Sequence, residues 1–186
     1  PRNASLRSDE SIMKTHASER IYSGRVLNLR VDEIDRPREG GVRKVEVVEH
    51  VGGVCVIAQP SPAEIVLVKQ YRHAVRRELW EVPAGMIERG DEPLETARRE
   101  LIEETGYRAT SLRFLWSMYS SPGFCEERIH FFVAEGLTPG EAAPEEDEQF
   151  ELKTWNVEAA WALVERDELR DAKTQIALAW ARARSR

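Results

Sequence analysis

Gly85-Met-Ile-Glu-Arg-Gly-Asp-Glu-Pro-Leu-Glu-Thr-Ala-Arg-Arg-Glu-Leu-Ile-Glu-Glu-Thr-Gly-Tyr107 is the stretch that decides how this chain reads. A loop punctuated by glycines leads into a helix expected over roughly residues 92–105. At about 100° per residue, Glu100, Glu103 and Glu104 fall within an arc of about 100° on that helix. Leu94, Ala97 and Leu101 form the apolar face beside them, so the carboxylates are expected at the edge of the core. Crowded carboxylates repel one another, and a hard divalent cation with oxygen ligands relieves that repulsion best. The stretch therefore reads as a magnesium site. For three glutamates taken alone the plainer reading would prevail, a solvated face with weak ion pairs to neighbouring arginines.

The start of the helix has its own chemistry. Asp91 is an anion at the loop-to-helix junction, where it is expected to cap exposed backbone N–H groups and favour the helix dipole. Pro93 suits the first turn because it has no N–H to leave unsatisfied. Gly85 and Gly90 permit the sharp loop.

Working outward, Val54–Ala58, Ile65–Gln70 and Leu79–Val82 read as strands, and Pro83-Ala-Gly85 ends the third. Leu112–Met118 and Arg128–Ala134 are further strands flanking the loop Ser120–Glu126. An acidic loop over Glu141–Glu148 precedes a strand at Phe150–Trp155. Val157–Arg166 and Thr174–Arg184 have helical periodicity, with Trp161 and Trp180 as expected core anchors. Upstream, residues 1–18 are polar and aperiodic and read as a flexible arm, while 19–50 carry alternating β patterns around a turn at Pro37–Gly41. Two or three such strands cannot bury both faces alone. The expected organisation is an arm (1–18), an N-terminal β extension (19–50) and a main α/β domain with a mixed sheet (51–186).

Glycine, five residues, an acidic residue, seven residues and then Arg-Glu-Leu-Ile-Glu-Glu-Thr-Gly-Tyr resembles the signature of the Nudix hydrolases. The family has Glu at the first acidic place, where this chain has Asp91 followed by Glu92. Glu81-Val-Pro-Ala-Gly85 leads in as in many Nudix enzymes that act on nucleoside-diphosphate sugars. Pro122, in Ser121-Pro-Gly-Phe-Cys-Glu-Glu127, lies fifteen residues after Tyr107 and is similar to a feature of the ADP-ribose pyrophosphatase group. The resemblance implies an α/β/α Nudix sandwich that hydrolyses ADP-ribose to AMP and ribose 5-phosphate. It implies Glu100 and Glu104 as metal ligands, Glu103 as a further or supporting ligand, and the Ala84 carbonyl on the same metals. Mg²⁺ is the expected ion, with Mn²⁺ or Zn²⁺ as alternatives. Arg99 is expected to orient a carboxylate. The general base is expected on the late acidic loop, at Glu146 or Glu148. Arg72, Glu81, Tyr22, Pro122 and Glu127 are the expected substrate contacts, with Tyr22 stacking on adenine and Glu127 reaching metal or phosphate. The plainer readings are a strand-end surface charge for Arg72 and a solvated run for the acidic loop.

Composition bounds the alternatives. The chain has 186 residues, 41% hydrophobic and 32% charged, enough for one domain with a core and a small extension. A net charge of −6 argues against general nucleic-acid binding and makes cations necessary for a polyphosphate substrate. No apolar run has the length of a membrane span and no signal-like segment opens the sequence, so a cytoplasmic location is expected. Cys55 lies in an apolar run and reads as a core residue. A homodimer through the extension is expected. Another nucleoside-diphosphate sugar such as GDP-mannose is the alternative substrate. A non-catalytic nucleotide-sugar sensor ranks low, because such modules typically lose the box carboxylates that are all present here.

Overall fold

The structure is a computed structural model and describes residues 13–141 and 151–185. The chain divides into two compact units, one of Pro1–His50 with Ser121–Glu127, the other of Val51–Ser120 with Arg128–Arg186.

In the larger unit, β4 (Gly53–Ala58) is buried along its whole length, as its unbroken apolar run requires. It pairs in parallel with β9 (Arg128–Thr138), which pairs antiparallel with β8 (Arg108–Tyr119). On its other side β4 pairs antiparallel with β7 (Ala84–Met86), which gives a mixed sheet of order β7-β4-β9-β8. A second sheet, β10-β5-β6, joins β10 (Glu151–Asn156), β5 (Glu64–Arg72) and β6 (Arg77–Glu81), all antiparallel.

Side chains alternate across a strand, and the core divides accordingly. Cys55, Ile57, Phe131 and Val133 pack with Val157 and Ala160 of α2 (Val157–Glu165) and with Leu178 and Ala181 of α3 (Ala172–Arg184). Val54, Val56, Ala58, Phe132 and Ala134 pack instead with Ala97 and Leu101 of α1 (Pro93–Thr105). The sheet thus carries one apolar layer on each side, the α/β/α sandwich. Burying those side chains contributes roughly 25 cal/mol per Å² of apolar surface.

Several expectations change at this level. Leu94, read as part of the apolar face of α1, is exposed, and Ala97 and Leu101 carry that contact. Trp161 and Trp180 are only partly buried and pack against the outside of the first core layer, where Phe131, Leu169 and Leu178 are the large buried side chains. Ala84 and Gly85, expected in the Pro83–Gly85 break after a strand, form with Met86 a short strand of their own because their backbone pairs with Gly53–Cys55. Asp91 does not cap α1. Glu92 holds the extended N-cap position without a side-chain bond, and Asp91 turns toward Arg99 at 3.7 Å.

The smaller unit is a three-stranded antiparallel sheet of β1 (Thr15–Ser23), β2 (Asn28–Asp35) and β3 (Val42–Glu49). Residues 15–18, expected in the arm, are strand, since they pair with β2. Gly40 and Gly41 at φ +70° and +79° make the β2–β3 turn, a backbone that only glycine adopts readily. The loop Ser121–Glu127 lies along β3: Val48 N–H donates to the Phe124 carbonyl at 2.7 Å, and Glu126 N–H to the Val48 carbonyl at 3.0 Å. Arg30 ties sheet and loop together, reaching Glu49 and Glu126 at 2.8 Å and Asp32 at 3.0 Å. Every residue of β1 is exposed.

Candidate active site

α1 carries the candidate metal carboxylates, and both of its ends follow from sequence. Pro93 occupies the first turn, and Gly106, at φ +72°, closes the helix with its N–H on the Ile102 carbonyl at 2.8 Å. Ala97 and Leu101 fix the helix to the sheet, which brings Glu100 and Glu104 against β7.

Glu104 is 4% exposed and accepts a hydrogen bond from Ala84 N–H at 3.0 Å. Glu100 lies across Gly85 so closely that a Cβ there would run into its carboxylate, which is why residue 85 has no side chain. Arg99 is a hub: it reaches Glu100 at 3.2 Å, Glu103 at 3.4 Å, Glu88 at 3.6 Å and Asp91 at 3.7 Å. Glu103 is 30% exposed on the more open side of the strip.

All these donors are oxygens and suit a hard cation. Among the described residues no group of three or more His, Cys, Asp or Glu side chains converges into a closed cage. Mg²⁺ needs none, since it takes one or two carboxylates and completes its shell with water and substrate phosphate. Glu100 and Glu104, held rigidly beside the Ala84–Gly85 backbone, fit that demand.

Arg72 ends β5 and grips Glu81 with two parallel bonds of 2.7 Å. Glu81 is 1% exposed and also accepts from Lys173 at 3.2 Å. The bond to Glu81 raises the Arg72 pKa, against the cost of burial, and the Glu104 charge adds to the effect. Arg72 therefore lies within electrostatic reach of Glu104 on α1. Burial works against the charge on Lys173, but Asp171 and Glu81 more than offset it, and its pKa is raised.

The larger unit thus brings together Arg72, Glu81, Ala84, Arg99, Glu100, Glu103 and Glu104. Tyr22, Pro122 and Glu127 belong to the smaller unit. There Tyr22 is 57% exposed on β1, Pro122 is exposed, and Glu127 faces His50 at 3.8 Å. Glu146 and Glu148 lie outside the described residues. Sequence reading passed over Lys173 and Asp171. The signal was Asp171-x-x-Thr174 ahead of an apolar periodic run, a helix N-cap pattern, and Asp171 does accept from Thr174 N–H at 2.9 Å.

Comparison with known proteins places this geometry. The Nudix domain matches residues 49–178. The chain is 44% identical over 167 residues to an ADP-ribose pyrophosphatase of Bacillus subtilis (strain 168), covering 89% of this chain and 90% of that protein. It is 42% identical, with the same coverage, to a methanol dehydrogenase activator of Bacillus methanolicus. In fold it resembles a crystal structure of an ADP compounds hydrolase at a TM-score of 0.79 and 22% identity, covering 92% of each chain. From the carboxylate helix packed on β7 and from these relatives alike, the chain belongs to the Nudix hydrolase family and, within it, resembles the ADP-ribose pyrophosphatases.

Proposed function

We propose that this protein hydrolyses the pyrophosphate bond of ADP-ribose, releasing AMP and ribose 5-phosphate, with a divalent cation bound by Glu100 and Glu104. The observation that carries the reading is the immobilisation of those two carboxylates against Ala84 and Gly85. Nudix hydrolases generally use divalent metals, and Mg²⁺ is the ion best suited to an open, all-oxygen donor set. When bound, the ion neutralises charge on the bridging and leaving oxygens and activates water. The protein's own part is placement. Glu104 and Glu100 are fixed by α1, Glu103 supports them, the Ala84 carbonyl adds a main-chain oxygen, and Arg99 holds the strip in register. Arg72, carried by Glu81, faces the diphosphate.

Glu148 or Glu146 serves as general base. Glu146→Gln and Glu148→Gln should lower kcat with little change in affinity, because a base acts mainly in the transition state. Normal turnover in the double variant would place the base elsewhere.

Pro122 and the Bacillus subtilis relative favour ADP-ribose, with another nucleoside-diphosphate sugar such as GDP-mannose as the alternative. The extension (19–50) forms the homodimer and helps form the adenosine site, with Tyr22 as the adenine contact; Pro122 and Glu127 are further substrate contacts, Glu127 on metal or phosphate. The reaction suits a cytoplasmic enzyme; no helix among the described residues is long and apolar enough to cross a membrane. A panel of ADP-ribose, GDP-mannose, UDP-glucose, NADH and dinucleoside polyphosphates, with and without Mg²⁺, tests the reading. ADP-ribose should give the highest kcat/KM, and a clear win by another nucleotide sugar would retain the chemistry and change the substrate.

A further inference from the structure

Arg72 does not stand on Glu81 alone. Lys173 Nζ donates to Glu81 Oε2 at 3.2 Å and to Asp171 Oδ1 at 2.7 Å. Asp171 Oδ2 in turn accepts from Thr174 N–H at 2.9 Å and from its hydroxyl at 2.7 Å. The Thr174 hydroxyl oxygen accepts from Val82 N–H at 2.8 Å, so the start of α3 is bonded to the residue that follows β6. Two cations and two anions therefore alternate from α3 to the end of β5: Asp171, Lys173, Glu81, Arg72.

The charges explain the need for both cations. Glu81 and Asp171 are at most 9% exposed, and a buried carboxylate left without a partner is costly. Lys173 compensates Asp171 and shares Glu81. Arg72 spends two of its five N–H donors on Glu81, and its side chain remains 40% exposed on the other side.

We propose that Lys173 is a positioning residue for substrate, holding the Arg72–Glu81 fork in one orientation toward a bound diphosphate. This rests on the reading above that Arg72 meets the phosphates of a nucleoside-diphosphate sugar. Lys173 itself does not touch the substrate. Its effect passes through Arg72.

The test is steady-state hydrolysis of ADP-ribose with Mg²⁺ by Lys173→Met and Lys173→Arg, each in the native and the Arg72→Ala background, with urea unfolding measured in parallel. Lys173→Met keeps the length and loses the charge. It should raise KM about tenfold and change kcat no more than about twofold. Lys173→Arg should restore most of the affinity. In the Arg72→Ala background, Lys173→Met should leave KM where Arg72→Ala alone put it, whatever it does to the unfolding midpoint. An unchanged KM in Lys173→Met, or an equal rise with and without Arg72, overturns the proposal. An unchanged KM in Arg72→Ala overturns the phosphate contact beneath it, and absence of hydrolysis by the unmodified protein overturns the proposed activity. Should Lys173→Met not fold, Asp171→Asn is measured in its place. It retains an acceptor for Thr174 and weakens the hold on Lys173, so KM should again rise, and an unchanged KM overturns the proposal.

Discussion

Glu104 has two parts that a single substitution separates. Its carboxylate accepts the Ala84 N–H, and its charge is a candidate metal ligand. Glu104→Gln preserves an acceptor oxygen and the shape but removes the anion. The unfolding midpoint should stay close to that of the native protein while kcat falls on the order of a hundredfold or more at saturating Mg²⁺. Near-normal turnover would remove Glu104 from the metal site. The identity and spacing of the α1 glutamates were legible in the sequence. The partner of Glu104 was not, because a main-chain N–H twenty residues upstream has no sequence signature. The same limit hid Lys173, whose acceptor Glu81 is 92 residues away.

Among the elements, helix ends were read with uneven success. α1 ends at Thr105, within the expected span, and Gly106 is its left-handed cap, while Asp91 misses the cap because Pro93 in the first turn puts Glu92 at the N-cap instead. α2 and α3 make a controlled comparison. Asn156 caps α2 by accepting from Glu158 and Ala159 N–H and is exposed, whereas Asp171 caps α3 and also holds the half-buried Lys173. Asn156→Ala should cost about 1 kcal/mol of stability, within the usual range for a cap. Asp171→Ala should cost more, about 3 kcal/mol, because it leaves a lysine charge without its nearest partner. Equal losses in urea denaturation would mean that Asp171 is a cap and nothing further. β7 was invisible as a strand because three residues after a proline have no pattern, and pairing with β4 alone makes them one.

At the scale of the molecule, the smaller unit has no apolar core of its own among the described residues. β1 is exposed throughout, with Ile21 and Tyr22 more than half exposed. Three strands with open faces need a cover, and association about a two-fold axis is the commonest one. Light scattering at micromolar protein should report a dimer, and a chain starting at Val51 should be a monomer with a raised KM for ADP-ribose. A monomeric full-length protein, or a truncated one with unchanged KM, would sink the link between association and substrate binding.

What the sequence determined by itself is whatever depends on local periodicity and spacing: α1 with its glutamate strip, the doubly buried β4, the glycine turns and the Nudix signature. These need only neighbours a few residues apart, and backbone geometry supplies the rest. Tertiary structure alone decided that Glu100 presses on Gly85, that Lys173 shares Glu81 with Arg72, and that Ser121–Glu127 lies along β3. Each of these joins charges or backbone groups distant in sequence. Burial makes an unpaired polar group costly, so such partners are chosen by the packing of the elements that carry them.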